Sequence, residues 1–308
     1  MAQGVGNVAA SSQLSGTGSI TGFSSAQSSG LLIAAVFCSG VETSTSVYTM
    51  SGASLTWSFI TAWIGGVGQS IFLFAAPFSA TISSQTFTLT WHSPISSRCG
   101  FVLVELDGTQ LTTDGSIYIY GSASGTNLGG QSLFTTTVSS SSPSGQKALV
   151  VTNPTGMISQ KAIVVNPGGS TEEMLIIGSV SGYTINCTTS LIYTHNAGET
   201  VTEGTAITTS NASDIVLGIF ASLAGGTDAI VAGSGYTLAI TTSNFSANCG
   251  AAFGVVYQVL SAAGTQNPTA TDSNGGTWES LTIAFEASGV APSIPGFNLT
   301  VQGNMTFV

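Results

Sequence analysis

The sequence contains very little charge. Only 5% of its 308 residues are Asp, Glu, Lys or Arg, whereas about 25% is usual for a soluble domain. Thirteen acids face three cations, Arg98, Lys147 and Lys161, and the formal net charge is −10. Three cations cannot neutralise a phosphate backbone or an anionic membrane surface, so we expect neither nucleic acid nor a membrane as a partner.

The low charge also bears on the surface of the folded protein. A free soluble protein normally stays dispersed because its surface is charged, whereas here Ser, Thr, Asn and Gly must cover it. Two interpretations remain open: a hydroxyl-rich β-protein that stands alone, or a subunit that is packed against neighbours. The second is favoured, because large surfaces without charge are typical of contact sites.

Long apolar runs are absent as well. The longest, residues 31–38 and 71–78, fall far short of the about 20 residues that a membrane-spanning helix needs. Residues 1–6 lack the basic start and the apolar stretch of a secretory signal. We therefore expect a protein that is made in a cytosol and remains there or leaves it inside a larger particle.

Residues suited to catalysis are scarce. Only His92 and His195 could act as an imidazole base, and no G-x-S-x-G turn presents a nucleophile. Phosphate-binding loops of the G-x-x-x-x-G-K-S/T and G-x-G-x-x-G types are absent. We predict that both histidines are structural, and that the protein is not an enzyme and has no catalytic residue and no cofactor.

The carboxylates lead to the same expectation. Glu172 and Glu173 form the one adjacent pair, and neighbours on a strand point to opposite faces. They therefore cannot flank one sugar as a glycosidase requires. Glu105 and Asp107 would share a face, but their place at the end of a strand indicates solvated acids.

Metal ligation and cysteine pairing remain open possibilities. Oxygen ligands for Ca²⁺ could come from Asp107 with Asp114, or from Asp272 with Asn274, but no EF-hand loop is present, so no metal site is predicted. The cysteines contain no C-x-x-C pair; they are Cys38, Cys99, Cys187 and Cys249. Cys38 ends one predicted strand and Cys99 begins another, so the two would be neighbours if these strands pair antiparallel. The alternative is that all four are small buried apolar residues.

One pattern occurs twice and organises the chain. An apolar stretch opens each occurrence, at 29–38 and 213–221, and an apolar strand that ends in acid closes it, at 99–107 and 278–286. Between them, short segments such as 85–91 alternate apolar and polar residues, which is the period of a half-buried strand. No apolar period of 3.6 residues is sustained, so we predict an all-β protein.

We interpret the two occurrences as half-repeats of one jelly-roll-like antiparallel β-sandwich. Short strands joined by Pro and Gly turns predict a small β-module inserted between them. The terminal segment alternates like a strand and is suited to adding onto a neighbour's sheet edge. The predicted order is an N-terminal arm, the first half, the inserted module, the second half and a C-terminal tail or strand, at 1–27, 28–142, 143–204, 205–288 and 289–308.

Two sets of motifs carry a resemblance to structural proteins of tailed bacteriophages. In the second half the motifs are 233–238, 259–265, Trp278 and 283–286, which resemble a β-sandwich domain common in phage tail, fibre and head-associated proteins. The inserted module resembles another phage-type module through 174–178, 182–185 and 195–201. Related modules often have a Thr-Arg-Gly turn before the His, where this chain has Thr189-Ser190-Leu191. The resemblance implies a virion part and brings no catalytic residues.

The resulting hypothesis is a non-enzymatic virion structural protein of a tailed phage, either a capsid decoration (cement) protein or a fibre subunit. It would assemble in the host cytoplasm and would bind other virion proteins, such as the major capsid or tail proteins, and copies of itself. The alternative is a receptor- or carbohydrate-binding sandwich of a tail fibre, in which tryptophans stack on host surface glycans. The candidates are Trp57, Trp63, Trp91 and Trp278; alternation instead gives Trp57 a core position beside Leu55 and Phe59.

Overall fold

The computed structural model describes most of the chain. The described residues are 3–13, 17–39, 48–64, 69–91, 98–114, 118–129, 134–155, 157, 162–167, 169–203, 207–222, 229–242 and 252–288. Within them the protein is all-β, with 67% strand and antiparallel sheets. The prediction of an all-β antiparallel sandwich is confirmed. A search of these residues for a helix able to cross a membrane finds none.

The chain up to Asp107 forms eight strands in two packed sheets. They are β1 (Gly4–Gln13), β2 (Thr17–Phe23), β3 (Gly30–Ser39), β4 (Tyr48–Gly52), β5 (Ser58–Ile64), β6 (Gln69–Phe78), β7 (Gln85–Trp91) and β8 (Arg98–Asp107). Sheet A has the order β1-β8-β3-β6-β5, and sheet B has the order β2-β7-β4. The opening stretch of the repeat is therefore β3, at the centre of sheet A, and the closing strand β8 pairs with it along its whole length.

The remaining strands form a second repeat and an inserted module. They are β9 (Thr109–Thr113), β10 (Tyr118–Gly129), β11 (Phe134–Thr137), β12 (Ala148–Val150), β13 (Ala162–Val165), β14 (Glu173–Ser181), β15 (Thr184–Cys187), β16 (Thr200–Glu203), β17 (Ile207–Thr209), β18 (Ile215–Ser222), β19 (Ile230–Ala232), β20 (Thr237–Thr242), β21 (Ala252–Val259), β22 (Gly264–Gln266) and β23 (Thr269–Ala287). Sheet C has the order β10-β23-β18-β21-β20, and β9 and β19 also pair with β23. Strands β17 and β22 pair with each other.

Sheets A and C correspond strand for strand. The order β8-β3-β6-β5 matches β23-β18-β21-β20. Both edge strands, β5 and β20, carry a register shift at the same place, between Phe59 and Thr61 in one and between Leu238 and Ile240 in the other. At the opposite edge, β1 borders β8 as β9 and β10 border β23. The second repeat therefore begins with β9, directly after the first ends, and the shifted edges discourage pairing with a further strand.

The central core lies between sheets A and C. It is built from equivalent positions of the two repeats, for example Ile33 with Leu217 and Leu73 with Val255, and each of these side chains is at most 1% exposed. Each half-repeat thus supplies one sheet of a shared sandwich. Because the same face of both repeats forms the contact, the repeats pack like the subunits of a two-fold symmetric dimer.

Sheet A is buried on both of its faces. Alternate residues of β3 face sheet C, and the residues between them, including Leu32 and Val36, pack with Phe72 and Phe87 against sheet B. A strand that is covered on both sides has no polar face, which explains why β3 is a continuous apolar run.

The inserted module is a six-stranded barrel. Its strand order is β11-β16-β13-β14-β15-β12, and a bridge between Val138 and Val151 joins the two ends of that order. Its interior is a single apolar cluster. Val164 points outwards and packs with Val216 and Ala284, which attaches the barrel to the outer face of sheet C.

Two stretches differ from the organisation expected from the sequence. Residues 1–27, expected to be an arm or an irregular edge, contain β1 and β2, and residues 109–129, assigned to the first half, pair with the second. Both stretches are rich in Gly, Ser and Thr, so their hydropathy gives little sign of a strand. The tail 289–308, expected to be a strand, lies outside the described residues.

Candidate functional site

The few acids of this chain lie mostly inside it. Side chains are described for ten of the 13 Asp and Glu residues, since those of Glu42, Glu203 and Asp228 lie outside the described part. A buried carboxylate is costly unless it is hydrogen bonded or paired, so the contacts of these acids show which sites the fold maintains. Seven of the ten are buried: Glu105, Asp114, Glu173, Asp214, Asp272, Glu279 and Glu286.

Glu105 is the centre of a backbone-binding site in the first repeat, the Glu105 clamp. Its oxygens accept hydrogen bonds from the N–H groups of Asn7, Ala26 and Gln27 at 2.8–3.0 Å. The site requires Gly6, because a Cβ there would lie 2.7 Å from the Glu105 carboxyl carbon. The expectation of a solvated acid is wrong for Glu105, since the loop before β3 covers this end of β8.

The second repeat has a corresponding site, the Asp114 clamp. Two consecutive N–H groups in the loop before β18, those of Ser210 and Asn211, donate to Asp114 at 2.6 and 3.0 Å. Asp114 directly follows β9 and occupies the position in the second repeat that Gly6 occupies in the first. At the position equivalent to Glu105, β23 has an alanine. The carboxylate thus belongs to β8 in the first repeat and follows β9, the strand that borders β23, in the second. In both repeats it fixes the loop that leads into the central strand, β3 or β18.

Asp114 also forms a buried carboxyl pair with Asp214. Burial, the hydrogen bond to Asp114 and the charge of Asp114 raise the pKa of Asp214 to about 8. Burial acts to raise the pKa of Asp114 too, but hydrogen bonds from Asp214, Ser210 and Asn211 outweigh it, so that pKa is lowered. With its pKa raised to about 8, Asp214 keeps its proton at neutral pH beside the ionised carboxylate of Asp114.

We expect Asp214→Asn to flatten the dependence of stability on pH. Because the pKa of Asp214 is higher in the folded chain, its contribution to stability is fully present below its unfolded pKa of about 3.8 and is lost as the pH rises towards 8. Asparagine keeps a donor for Asp114 but cannot ionise. Between pH 5 and pH 8.5 the parent protein should therefore lose about 4 kcal/mol of stability that the variant does not lose. Urea unfolding at both pH values measures the free energy of unfolding of each protein. If the parent and the variant lost equal stability between the two pH values, Asp214 would not be the group responsible.

The barrel holds a further polar centre, the His195 network, made of Glu173, His195 and Glu199. The imidazole is fully buried; its Nε2 lies 3.0 Å from Glu173 Oε2 and its Nδ1 lies 2.7 Å from Glu199 Oε2. Burial lowers the pKa of His195, but the hydrogen bonds and charges of the two glutamates outweigh it, so the pKa is raised. The structural role predicted for His195 stays a prediction, and His92 lies outside the described residues.

Two of the acids considered as calcium ligands, Asp114 and Asp272, accept hydrogen bonds from backbone N–H groups of the chain. Burial and the neighbouring Glu105 raise the pKa of Asp107 to about 6, and Asp114 belongs to its clamp. Asp272 accepts a hydrogen bond of 3.2 Å from the backbone N–H of Asn274, as in a turn. In the part of the chain that is described, no group of three His, Cys, Asp or Glu residues is placed to hold a metal ion.

The predicted cysteine neighbours are paired in the sheet. Cys38 and Cys99 are direct partners in the antiparallel register of β3 and β8. Cys38 Sγ also lies 2.9 Å from the hydroxyl of Tyr48. In the barrel, burial and the charge of Glu173 raise the pKa of the Cys187 thiol to about 12.

Two of the four tryptophans lie in cores. Trp57 is partly buried between sheets A and B, where its ring stands perpendicular to that of Phe87 with 6.0 Å between the centroids. Trp278 is 1% exposed. Trp57 packs against the core beside Leu55 and Phe59, as predicted, and stays partly exposed, whereas Trp278 is enclosed. The side chains of Trp63 and Trp91 lie outside the described part.

The described surface is almost free of charge. With seven acids buried and the other three half-buried, Lys147 is the one charged side chain classed as exposed among the described residues. Six large apolar side chains are exposed in the same part: Leu111, Tyr183, Ile192, Tyr193, Val231 and Val259. Ile192 and Tyr193 are adjacent, and they are 45% and 41% exposed.

No family model, no curated protein and no solved structure matches this chain.

Proposed function

We propose that this chain is a non-enzymatic structural subunit of a tailed-phage virion, a capsid decoration protein or a fibre subunit, and that it binds neighbours through large low-charge β surfaces. The observation that carries the proposal is the placement of charge. Seven of the ten described acids are buried, four of them in the clamps, the carboxyl pair and the His195 network, and the described surface keeps one exposed charged side chain. A free protein relies on surface charge for solubility, whereas a subunit hidden by neighbours does not.

The topology supports the viral part of the proposal. In the first repeat β1 pairs with β8, β2 with β7 and β3 with β6. This nested pairing is the order of a jelly roll, an architecture found in viral capsid and lectin domains. The resemblance of the second repeat and of the barrel to phage-type modules favours a capsid protein over a lectin. Trp278 is buried, so it cannot be one of the rings with which a lectin would stack on a sugar.

Adhesion in such a particle depends on buried area. A stable contact buries about 1,200–2,000 Å² in total, and hydroxyl and apolar groups can supply it without ion pairs. Ile192 and Tyr193 are suited to the centre of a contact, because aromatic and large apolar side chains are enriched there and charged ones are depleted.

We expect the chain to stay on intact particles when NaCl is raised from about 0.05 to about 1 M. The Debye length falls to about 3 Å at 1 M salt, so interactions between exposed charges are screened. A contact that contains no ion pairs should lose little binding free energy under these conditions. The measurement is the amount of chain that sediments with washed particles, with dissociation in urea as the positive control for release. Release at moderate salt would contradict the proposed mode of binding.

A further inference from the structure

The loop between β15 and β16 is held from inside the barrel. The Glu173 carboxylate accepts hydrogen bonds from the N–H groups of Ile192 (2.8 Å) and Tyr193 (3.3 Å), and it also lies against His195 Nε2. Leu191 and His195 are buried, and the three residues between them are exposed. Backbone hydrogen bonds to Ser142 and Gln146 hold the two ends of loop 191–195. The His195 network fixes the residues between those ends, which include Ile192 and Tyr193.

The hydrogen bonds of this network depend on a proton. Both ring nitrogens of His195 face carboxylate oxygens, one of Glu173 and one of Glu199, and an ionised carboxylate only accepts hydrogen bonds. A neutral imidazole has a single N–H, so it would turn a lone pair towards one of the two carboxylates. The imidazolium satisfies both, in agreement with the raised pKa of His195.

The other titratable groups around the network do not replace that proton. Cys187 on β15 is a neutral thiol at physiological pH, because burial and the charge of Glu173 raise its pKa to about 12. Lys147, beside β12, donates to the carbonyl of Thr188 at 2.8 Å. Glu172 is half-buried next to Glu173, and the ring of Tyr193 is partly exposed.

We propose that Glu173, His195 and Glu199 form a proton-operated latch for loop 191–195. With His195 protonated, residues 192–194 are fixed and present Ile192 and Tyr193 to a neighbouring subunit. With His195 neutral, these residues loosen, while the two ends of the loop stay bonded to Ser142 and Gln146. Its use in a contact rests on the function proposed above, whereas the latch itself does not. A buried ionic triplet is a poor source of stability, because well-packed apolar residues often stabilise as much or more. What the triplet adds is control by pH.

NMR of the full-length chain tests the latch without a partner. The carbon shifts of the His195 ring report its protonation, and backbone order parameters of residues 192–194 report the loop. We expect the order parameters to fall from about 0.85 to below about 0.6 along the titration of His195, with a midpoint above pH 6.5. Order parameters that stay constant through that titration would overturn the latch.

Glu199→Gln provides a second arm that does not depend on removing the histidine. It deletes one charge while leaving a neutral oxygen near Nδ1, so the His195 titration and the loop transition should move together to lower pH by about one unit. Glu172→Gln, outside the network, is the matched control and should move neither. A loop transition that stays in place while His195 titrates at lower pH would also overturn the latch.

Particle retention separates the latch from the contact. The amount of the double variant Ile192→Ser/Tyr193→Ser that stays on washed particles should be at least about tenfold lower than that of Tyr183→Ser. Tyr183→Ser is the control because it alters a tyrosine that is 64% exposed on the same barrel. Equal retention would overturn the contact, while the NMR titration continues to decide the latch.

Discussion

Replacing Glu105 with alanine is expected to lower the free energy of unfolding by about 4 kcal/mol. The substitution leaves the N–H groups of Asn7, Ala26 and Gln27 without the acceptor that they use in the native protein. Each buried donor that loses its acceptor costs about 1–3 kcal/mol, and partial entry of water into the vacated space reduces the sum. Urea unfolding at pH 7, followed by circular dichroism, measures the change.

Two further substitutions control this experiment. Glu105→Gln keeps one acceptor oxygen but turns an NH₂ group towards backbone donors, so it should lose about half as much as alanine. Glu172→Ala removes a half-buried acid outside the clamps and should change stability by less than about 0.5 kcal/mol. An alanine variant as stable as the parent would show that the clamp does not support the first repeat.

The second large effect is expected in the core between sheets A and C. Ile33→Ala and Leu217→Ala should each lower the free energy of unfolding by about 3–4 kcal/mol, because both side chains are buried in the shared core at equivalent positions of the two repeats. The same unfolding experiment measures both variants, with Val231→Ala, at a position 57% exposed, as the control. A small loss for one and a large loss for the other would contradict the symmetric packing of the repeats.

The sequence predicts the class of this fold and its duplication because both depend on local patterns. Period-2 alternation and the absence of a sustained helical period indicate strands, and β3 and β18 are recognisable as twin apolar runs because both are buried on two faces. The start of each repeat is different. Strands β1, β9 and β10 consist largely of Gly, Ser, Thr and Ala, so only the pairing with β8 and β23 shows that they correspond.

The buried polar sites were beyond reach for another reason. The Glu105 clamp joins residues up to 98 positions apart, and its counterpart takes its carboxylate from a different strand, so no shared motif marks the two. In the His195 network, Glu199 stands four residues after the histidine and could have drawn attention. Glu173 lies 22 residues before the histidine. Its position on a strand predicts the side of the sheet on which its side chain lies, but not the residue that it contacts.

The central claim is that the low charge of the described surface serves assembly. The most direct test is to locate the chain in intact phage particles by cryo-electron microscopy. The expected result is density for the double sandwich and its barrel at regular positions, with at least about 1,200 Å² buried in total against neighbouring subunits. Particles without the chain, together with a purified protein that remains monomeric at all concentrations, would contradict it.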